Sequence, residues 1–419
     1  MQLPGQEAFW TCQIRQELAD LERLGEVLRK QPTAGGPNGN GETRRLTQER
    51  FARLIAPWAE QLHDMLESPA QAPFDWQNLK TVREGSAAVK QSVLVYLAGL
   101  HLQRHVLDPD FLAAAQKILD TLSLSSGVSD RVLLTFAESQ GMEHTVGLLT
   151  LRFTDATMWA LPVIAHEFGH HVARVLPHAD PALRHSVRPI MQYIATASRL
   201  EEENESGVQR VSREQITQWL SELFADVYAT YALGPAYPLA VITSRATPDR
   251  LEDRLGTHPS WSRRVWTMIA ALDEMSRLPG DATRMPLYGL LADQMIKPLW
   301  ISAGGVEPPE QDLERPTEQA REMVRRLAKH APDCLRYPPV EPREELVSLV
   351  QDGTAGPPPG TTPTEVVNAA WLWRLQHWSA PAWQTAEVSR HALAMCARAA
   401  PGGGDDVKAA TAGDASDDA

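Results

Sequence analysis

Cysteine is scarce in this chain, with three in 419 residues, at positions 12, 334 and 396. An odd number spread so far apart argues against a disulfide framework or a Cys-x-x-Cys zinc knuckle, and fits a reducing compartment. Positive charge is also short. Only 40 Lys and Arg stand against 53 Asp and Glu, for a formal net charge of −13. A sequence-independent grip on nucleic acid needs a basic face to displace condensed counterions, and docking on anionic lipid needs a polybasic surface. Long apolar runs are missing as well. The best of them, residues 92–102, ends at Gln103 and Arg104, well short of the roughly 18–20 residues of a membrane span. The opening MQLPGQEAFWTCQIRQ has no basic stretch followed by an apolar one, so no secretory leader is read there. Together these absences predict a cytoplasmic protein with no membrane span and no nucleic-acid partner.

What the chain does have is an ordinary balance for a folded protein, 43% hydrophobic and 22% charged. Helical periodicity runs through residues 7–30, where Ile14, Leu18, Leu21 and Leu28 form one stripe, and again through 46–66, 89–106 and 111–122. Residues 31–43, rich in Gly, Pro and Asn, read as a flexible linker. The texture changes near Ser129. Residues 132–136 and 146–153 are short runs of Val, Leu, Thr and Phe that read as strands. A helix capped by Thr157 is expected from about 159 to 175, with Leu161, Ile164, Phe168, Val172 and Val175 on its buried face. Further helices are expected over 212–233, ending at Gly234-Pro235, and over 259–275 and 317–330. The acidic run 201–205 reads as a solvated turn, 352–364 as a second linker and 365–399 as a Trp-rich helical segment. The last twenty residues, 400–419, have the composition of a disordered acidic tail.

The strongest chemical signal is His166-Glu167-Phe168-Gly169-His170 on the helix expected at 159–175. Residues four apart share a helix face, so both imidazoles can reach one ion, and zinc accepts nitrogen ligands at about 2.0–2.1 Å. Zinc lowers the pKa of a water it binds toward about 7, and a carboxylate beside the first ligand can take the proton. A catalytic zinc usually has three protein ligands. Glu222 and Asp226 are an i, i+4 carboxylate pair in an otherwise apolar helix. Burying such a pair is costly unless a cation or hydrogen-bond donors neutralise it. Glu222 is thus the candidate third ligand, and Asp226 the candidate partner for the outer N–H of a ligand histidine. The alternative is that both sit on a solvated face. Ala225 and Ala229 would let the two helices approach closely.

A third element is Thr257-His258-Pro259-Ser260-Trp261-Ser262-Arg263-Arg264-Val265. A histidine presented just before a helix start can stabilise an oxyanion, and Arg264 can anchor the segment to a carboxylate of the site. The plain alternatives are a loop histidine and a surface arginine. His171 points about 100° away from its neighbour and is not read as a ligand. Tyr228, Tyr231 and Tyr237 are alternative oxyanion donors that sequence does not rank. No phosphate-binding loop, dinucleotide fingerprint or nucleophile elbow is present. The tryptophans at 371, 373, 378 and 383 read as core or docking contacts.

The series H-E-F-G-H, E-L-F-A-D and T-H-P-S-W-S-R-R-V resembles the ordered motifs H-E-x-x-H, E-x-x-x-D and T-H-P-P-x-x-x-R of the HtpX-like gluzincin metallopeptidases. The resemblance covers about a third of the chain, from Ser129 to Met275. It implies one Zn2+ per chain on His166, His170 and Glu222, with Glu167 as general base. By the same carry-over Asp226 lies behind a ligand, His258 stabilises the oxyanion and Arg264 is structural. Ser260 stands where the family usually has a second Pro, and the family's membrane segments are missing. In gluzincins an edge strand over the cleft holds extended substrate by β-augmentation, a role open to 146–153; the alternative is an interior strand. The expected fold is α+β and mainly helical, with a zincin/gluzincin-like core at 129–280. An N-terminal helical region at 1–128 and a C-terminal one at 281–399 flank it, and a tail at 400–419 follows. The expected function is zinc metallopeptidase acting on peptide or protein substrates. A catalytically latent zinc-binding regulator, a protease gated by an activating or inhibiting protein partner, and hydrolysis of a non-peptide amide are the rivals.

Overall fold

Apolar spacing near 3.6 dominates the sequence, and helices dominate the structure. The computed structural model describes residues 6–31, 41–67, 76–126, 132–143, 146–179, 212–246, 251, 258–279, 286–330, 335–338, 344–353 and 356–400. The acidic run 201–205, the tail beyond 400, and most of the expected linker at 31–43 lie outside the described residues. The chain is mainly helical with one three-stranded sheet, and it divides into two units.

The first unit comprises residues 1–107 with 132–153. Helices α1 (Gln6–Lys30), α2 (Gly41–Glu67) and α3 (Trp76–His105) supply most of it. Their apolar stripes meet in one core that includes Ile14, Leu18, Leu21, Phe51, Val93 and Tyr96, with Leu133, Val146 and Leu148 from the sheet region. Glu17 is a buried charge there, paired with Lys90 and accepting a hydrogen bond from the Ser86 hydroxyl. The strands are β1 (Leu133–Ala137), β2 (Gly141–Glu143) and β3 (Leu148–Arg152), in the order β1-β3-β2. β3 pairs in parallel with β1 and antiparallel with β2, with Thr150 opposite both Thr135 and Gly141. This corrects the edge-strand expectation for 146–153. β3 is the central strand, so its main-chain groups are taken by its neighbours and do not offer a row for β-augmentation. On the outer side of β1, Gln103 Nε2 donates to the Leu134 carbonyl at 2.6 Å.

The second unit comprises 108–131 and 154–419. Contacts therefore divide the chain at places other than its texture does, since the strands join the N-terminal helices and α4 (Pro109–Ser126) joins the rest. Its centre is α5 (Val163–Ala179) against α6 (Arg213–Leu233), with α7 (Ala236–Ser244), α8 (Trp261–Met275) and α11 (Glu310–His330) packed around them. The helix expected from 159 begins at Val163, because 158–162 form turns first. α6 is capped by Ser212, whose hydroxyl accepts from Gln215 N. It ends, as the Gly-Pro pair predicts, at Gly234 with φ of 64°. A side chain at Gly234 would also meet Tyr337 Cδ1 at 2.4 Å, so glycine is needed there for space as well.

The expected helix at 259–275 starts at Trp261, with Ser260 Oγ accepting from Arg263 N at 3.3 Å. Elements that sequence pattern did not give are α7, the run α9 (Pro286–Leu291), π turn (Ala292–Ile296) and α10 (Lys297–Ser302), and α12 (Glu344–Asp352). The Trp-rich segment is two helices, α13 (Pro363–Gln376) and α14 (Ala382–Arg398), the first opened by a capping box of Thr362 and Glu365. Trp371 and Trp373 are core, and Trp378 and Trp383 are exposed. No described helix is long and apolar enough to cross a membrane.

The approach of α5 to α6 is set at Gly169. A Cβ there would stand 3.1 Å from Ala225 Cα and 3.2 Å from Tyr228 Cδ1. Gly169→Val is expected to destabilise by about 1–3 kcal/mol, the usual cost of overpacking. Gly169→Ala is expected near zero, because a helix-propensity gain of about 1 kcal/mol offsets the milder squeeze. Urea denaturation of the two variants checks this, and a Val variant as stable as the native chain would contradict it.

Candidate metal centre

His166 and His170 lie one turn apart on α5, and their Nε2 atoms converge to 3.2 Å. Of the expected buried stripe, Leu161, Ile164, Phe168 and Val172 are buried, and the side chain of Val175 lies outside the described residues. The other face is less open than expected. His166 is 4% exposed and Glu167 5%, while the side chain of His170 is 17% exposed. From α6, Glu222 brings Oε2 to 3.4 Å from His166 Nε2 and Oε1 to 3.3 Å from His170 Nε2. Ligands held at zinc distances in a tetrahedron stand about 3.3 Å from one another. The contacts of 3.2, 3.3 and 3.4 Å, the last two to different oxygens of Glu222, bring one donor atom from each residue within 4.8 Å of the others, a grouping that could hold a metal ion. Glu222 Oε2 is also buried and accepts no hydrogen bond, the state of an oxygen whose natural partner is a metal. Among the described residues this is the one grouping of three such side chains close enough for a shared ion.

Behind the histidines lies a second layer of contacts. Asp226, one turn after Glu222 and fully buried, places Oδ1 3.0 Å from His166 Nδ1. It is held in turn by Arg264 of α8 through two bonds of 2.7 Å, from Nε to Oδ2 and from Nη2 to Oδ1. Arg264 also lies 3.7 Å from Glu222 Oε2 and stacks over the Trp261 ring at 4.6 Å. The anchoring bond expected of Arg264 is thus made to Asp226. His258 places Nε2 3.5 Å from Glu222 Oε1, with its side chain 48% exposed, so it stands at the open side of the cluster. Ser221 Oγ is 3.4 Å from His170 Nδ1.

Tyr237 has a part that sequence reasoning missed. Its hydroxyl donates to Asp226 Oδ1 at 2.5 Å and lies 2.9 Å from His166 Nδ1. That puts it on the outer nitrogen of His166, so the oxyanion role considered for Tyr237 is corrected: its hydroxyl is engaged behind the ligand. Tyr228 is likewise engaged, with its hydroxyl 2.5 Å from Ser126 Oγ. The signal for Tyr237 was the Gly234-Pro235 turn, which sends the chain back along α6 toward Asp226. His171 is fully buried against Phe168, with rings 5.7 Å apart, away from the cluster.

The electrostatics follow from burial. Desolvation opposes charge on His166, yet its contacts with Asp226 and Glu222 outweigh it and raise it from 6.5 to about 9. Burial likewise opposes charge on Glu222, but the two histidines hold it well below the usual carboxylate range. Asp226 is desolvated too, and the Arg264 guanidinium brings it from 3.8 down to about 2. Asp226 and Glu222 together outweigh the one Arg264 guanidinium by a single negative charge, which favours the protonated form of His166.

A depressed Asp226 contributes stability that is complete above pH 3.8 and fades as pH falls toward 2. A raised His166 contributes stability that is complete below pH 6.5 and is lost as pH rises through 9. Metal-free protein is therefore expected to be most resistant to urea between those limits. Arg264→Met, which leaves Asp226 buried without its cation, is expected to cost about 3–5 kcal/mol. Adding Asp226→Asn should recover part of it, and urea titration of the single and double variants measures both; no recovery would mean that the arginine acts elsewhere.

No protein-family model, curated protein or solved structure matches the chain, so its functional reading rests on this cluster.

Proposed function

We propose that this chain is a zinc-dependent metallopeptidase with a gluzincin-like core. The observation that carries the reading is the convergence of His166, His170 and Glu222, with one donor atom of each within 4.8 Å of the others and Glu167 on the same helix as the two histidines. Two imidazoles and one carboxylate are the donor set of catalytic zinc, and a fourth position stays open for water or substrate. Zinc held there would polarise a peptide carbonyl and bring a water's pKa near neutrality.

The chain's own residues supply the rest. Glu167 takes the proton from the attacking water and passes it to the leaving amine. His258, on the exposed side beside Glu222, donates to the carbonyl oxygen as charge builds on it. Asp226 and Tyr237 fix the His166 ring by its outer nitrogen, so that Nε2 faces the ion, and Arg264 keeps Asp226 ionised in its buried place. The low exposure of His166 and Glu222 favours a further point: the peptidase is gated, by a partner or by movement of covering segments, before long substrates enter.

The decisive experiment compares new protein N-termini in cell extract treated with the native chain and with Glu167→Gln, with zinc content measured on both. The expected outcome is equal zinc, about one per chain, and cuts made by the native protein only. Equal zinc with identical termini would favour a latent zinc-binding regulator, and absence of zinc from both would refute the metal centre. Glu222→Gln is expected to lose zinc. Because His166 carries a proton in the metal-free state at pH 7, zinc binding is expected to release about one proton per ion. Calorimetry in two buffers of different ionisation enthalpy reads this directly.

A further inference from the structure

The second unit contains a pocket of 670 Å³ remote in sequence from the metal ligands, formed by α7, the π turn with α10, and the end of α13. Its volume is that of a small-molecule site. Three features point to a ligand. First, among the described residues no ionisable side chain lines it: Ile242, Met295, Leu299 and Leu372 give apolar walls, with the amides of Gln294 and Gln376 as polar points. Second, one wall is the π turn Ala292–Ile296, which contributes Gln294 and Met295. A π turn forfeits regular helix geometry and is found mostly where function requires it. Third, Trp378 lines the pocket while 50% exposed, held by the Arg374 guanidinium 5.1 Å from its ring. An aromatic side chain at the mouth of an apolar hollow can stack on a flat apolar ligand that enters it.

The pocket also shares an element with the metal centre. α7 presents Ile242 and Thr243 to the pocket from its last turns, and Tyr237 to Asp226 and His166 from its first. Nine residues of one helix thus join the wall of the pocket to the hydroxyl behind His166. We propose that this pocket binds an uncharged, largely apolar small molecule, and that occupancy adjusts the hold of the centre on its metal through α7. The charge class follows from the described lining, because an ionised ligand would meet amides, hydroxyls and apolar groups there while the Arg374 guanidinium beside Trp378 is hydrogen-bonded to Thr385. The coupling rests on the metal-centre reading; the binding does not.

The test uses the full chain and 1-aminoanthracene, a neutral fluorescent aromatic, as probe. Saturable binding at one site per chain is expected, weakened about tenfold by Ala303→Trp, which fills the pocket, and by Trp378→Ala, which strips its mouth without touching the core. The anionic probe anilinonaphthalene sulfonate is expected to bind more weakly than the neutral one. Binding unchanged in both variants, no saturable binding, or equal affinity for the two probes would overturn the site. Displacement of the probe by an apolar peptide but by no uncharged small molecule would overturn the ligand class in favour of a protein partner.

Zinc affinity, read by competition with a chelating dye, is expected to shift about threefold when the probe saturates, and not to shift in Tyr237→Phe. An unmoved zinc affinity overturns the coupling. A chain that binds probe but no zinc refutes the metal-centre reading and leaves the pocket standing.

Discussion

Everything around the candidate centre depends on one electrostatic constraint, the cost of placing Glu222 and Asp226 inside an apolar helix. Neither carboxylate can stay ionised there without an opposite charge or several donors. Asp226 meets Arg264 through a two-pronged contact, and Glu222 faces two imidazoles. The three helices α5, α6 and α8 are therefore held by charge balance as much as by their apolar faces. Gly169 makes this possible by letting α5 approach α6 closely enough for imidazole and carboxylate to touch. Ser260 adds the third fixed point. It starts α8 immediately after His258, so one turn of helix separates the exposed histidine from the buried arginine.

Much of this was legible in the sequence. Spacing put His166 and His170 on one face of a helix, and the i, i+4 carboxylates flagged a helix that had to meet positive charge. The Gly-Pro pair marked the end of α6, and Ser212 its start. The buried stripe of α5 and the apolar stripe of α1 also stand where periodicity put them. The parts that stayed hidden are those decided by contacts between distant segments. Nothing local distinguishes a central strand from an edge strand in a run such as 146–153, because both are apolar and short. Tyr237 is one of three tyrosines that sequence does not rank as oxyanion donors, and only the reversal of the chain at Gly234 shows that its hydroxyl meets Asp226 and His166.

The π turn was invisible for a related reason. Residues 292–296 have an ordinary helical composition, and the wider turn is fixed by what packs beside it. The division of the chain likewise does not follow composition. The strands sit between α4 and α5 in sequence, both of which belong to the second unit, yet they complete the first. A chain that leaves one unit and returns to it has boundaries that no change of texture marks.

The order of the cluster along the chain carries a consequence for biosynthesis. The paired histidines emerge from the ribosome first, on α5, while Glu222 and Asp226 follow on α6 and the neutralising Arg264 comes last, after the turn that brings back Tyr237. Until residue 264 has cleared the exit tunnel, α6 holds two carboxylates with no guanidinium to receive them. A nascent chain halted between α6 and α8 would therefore hold that helix with its carboxylates unmatched, so the cluster can close only once residue 264 of 419 has emerged.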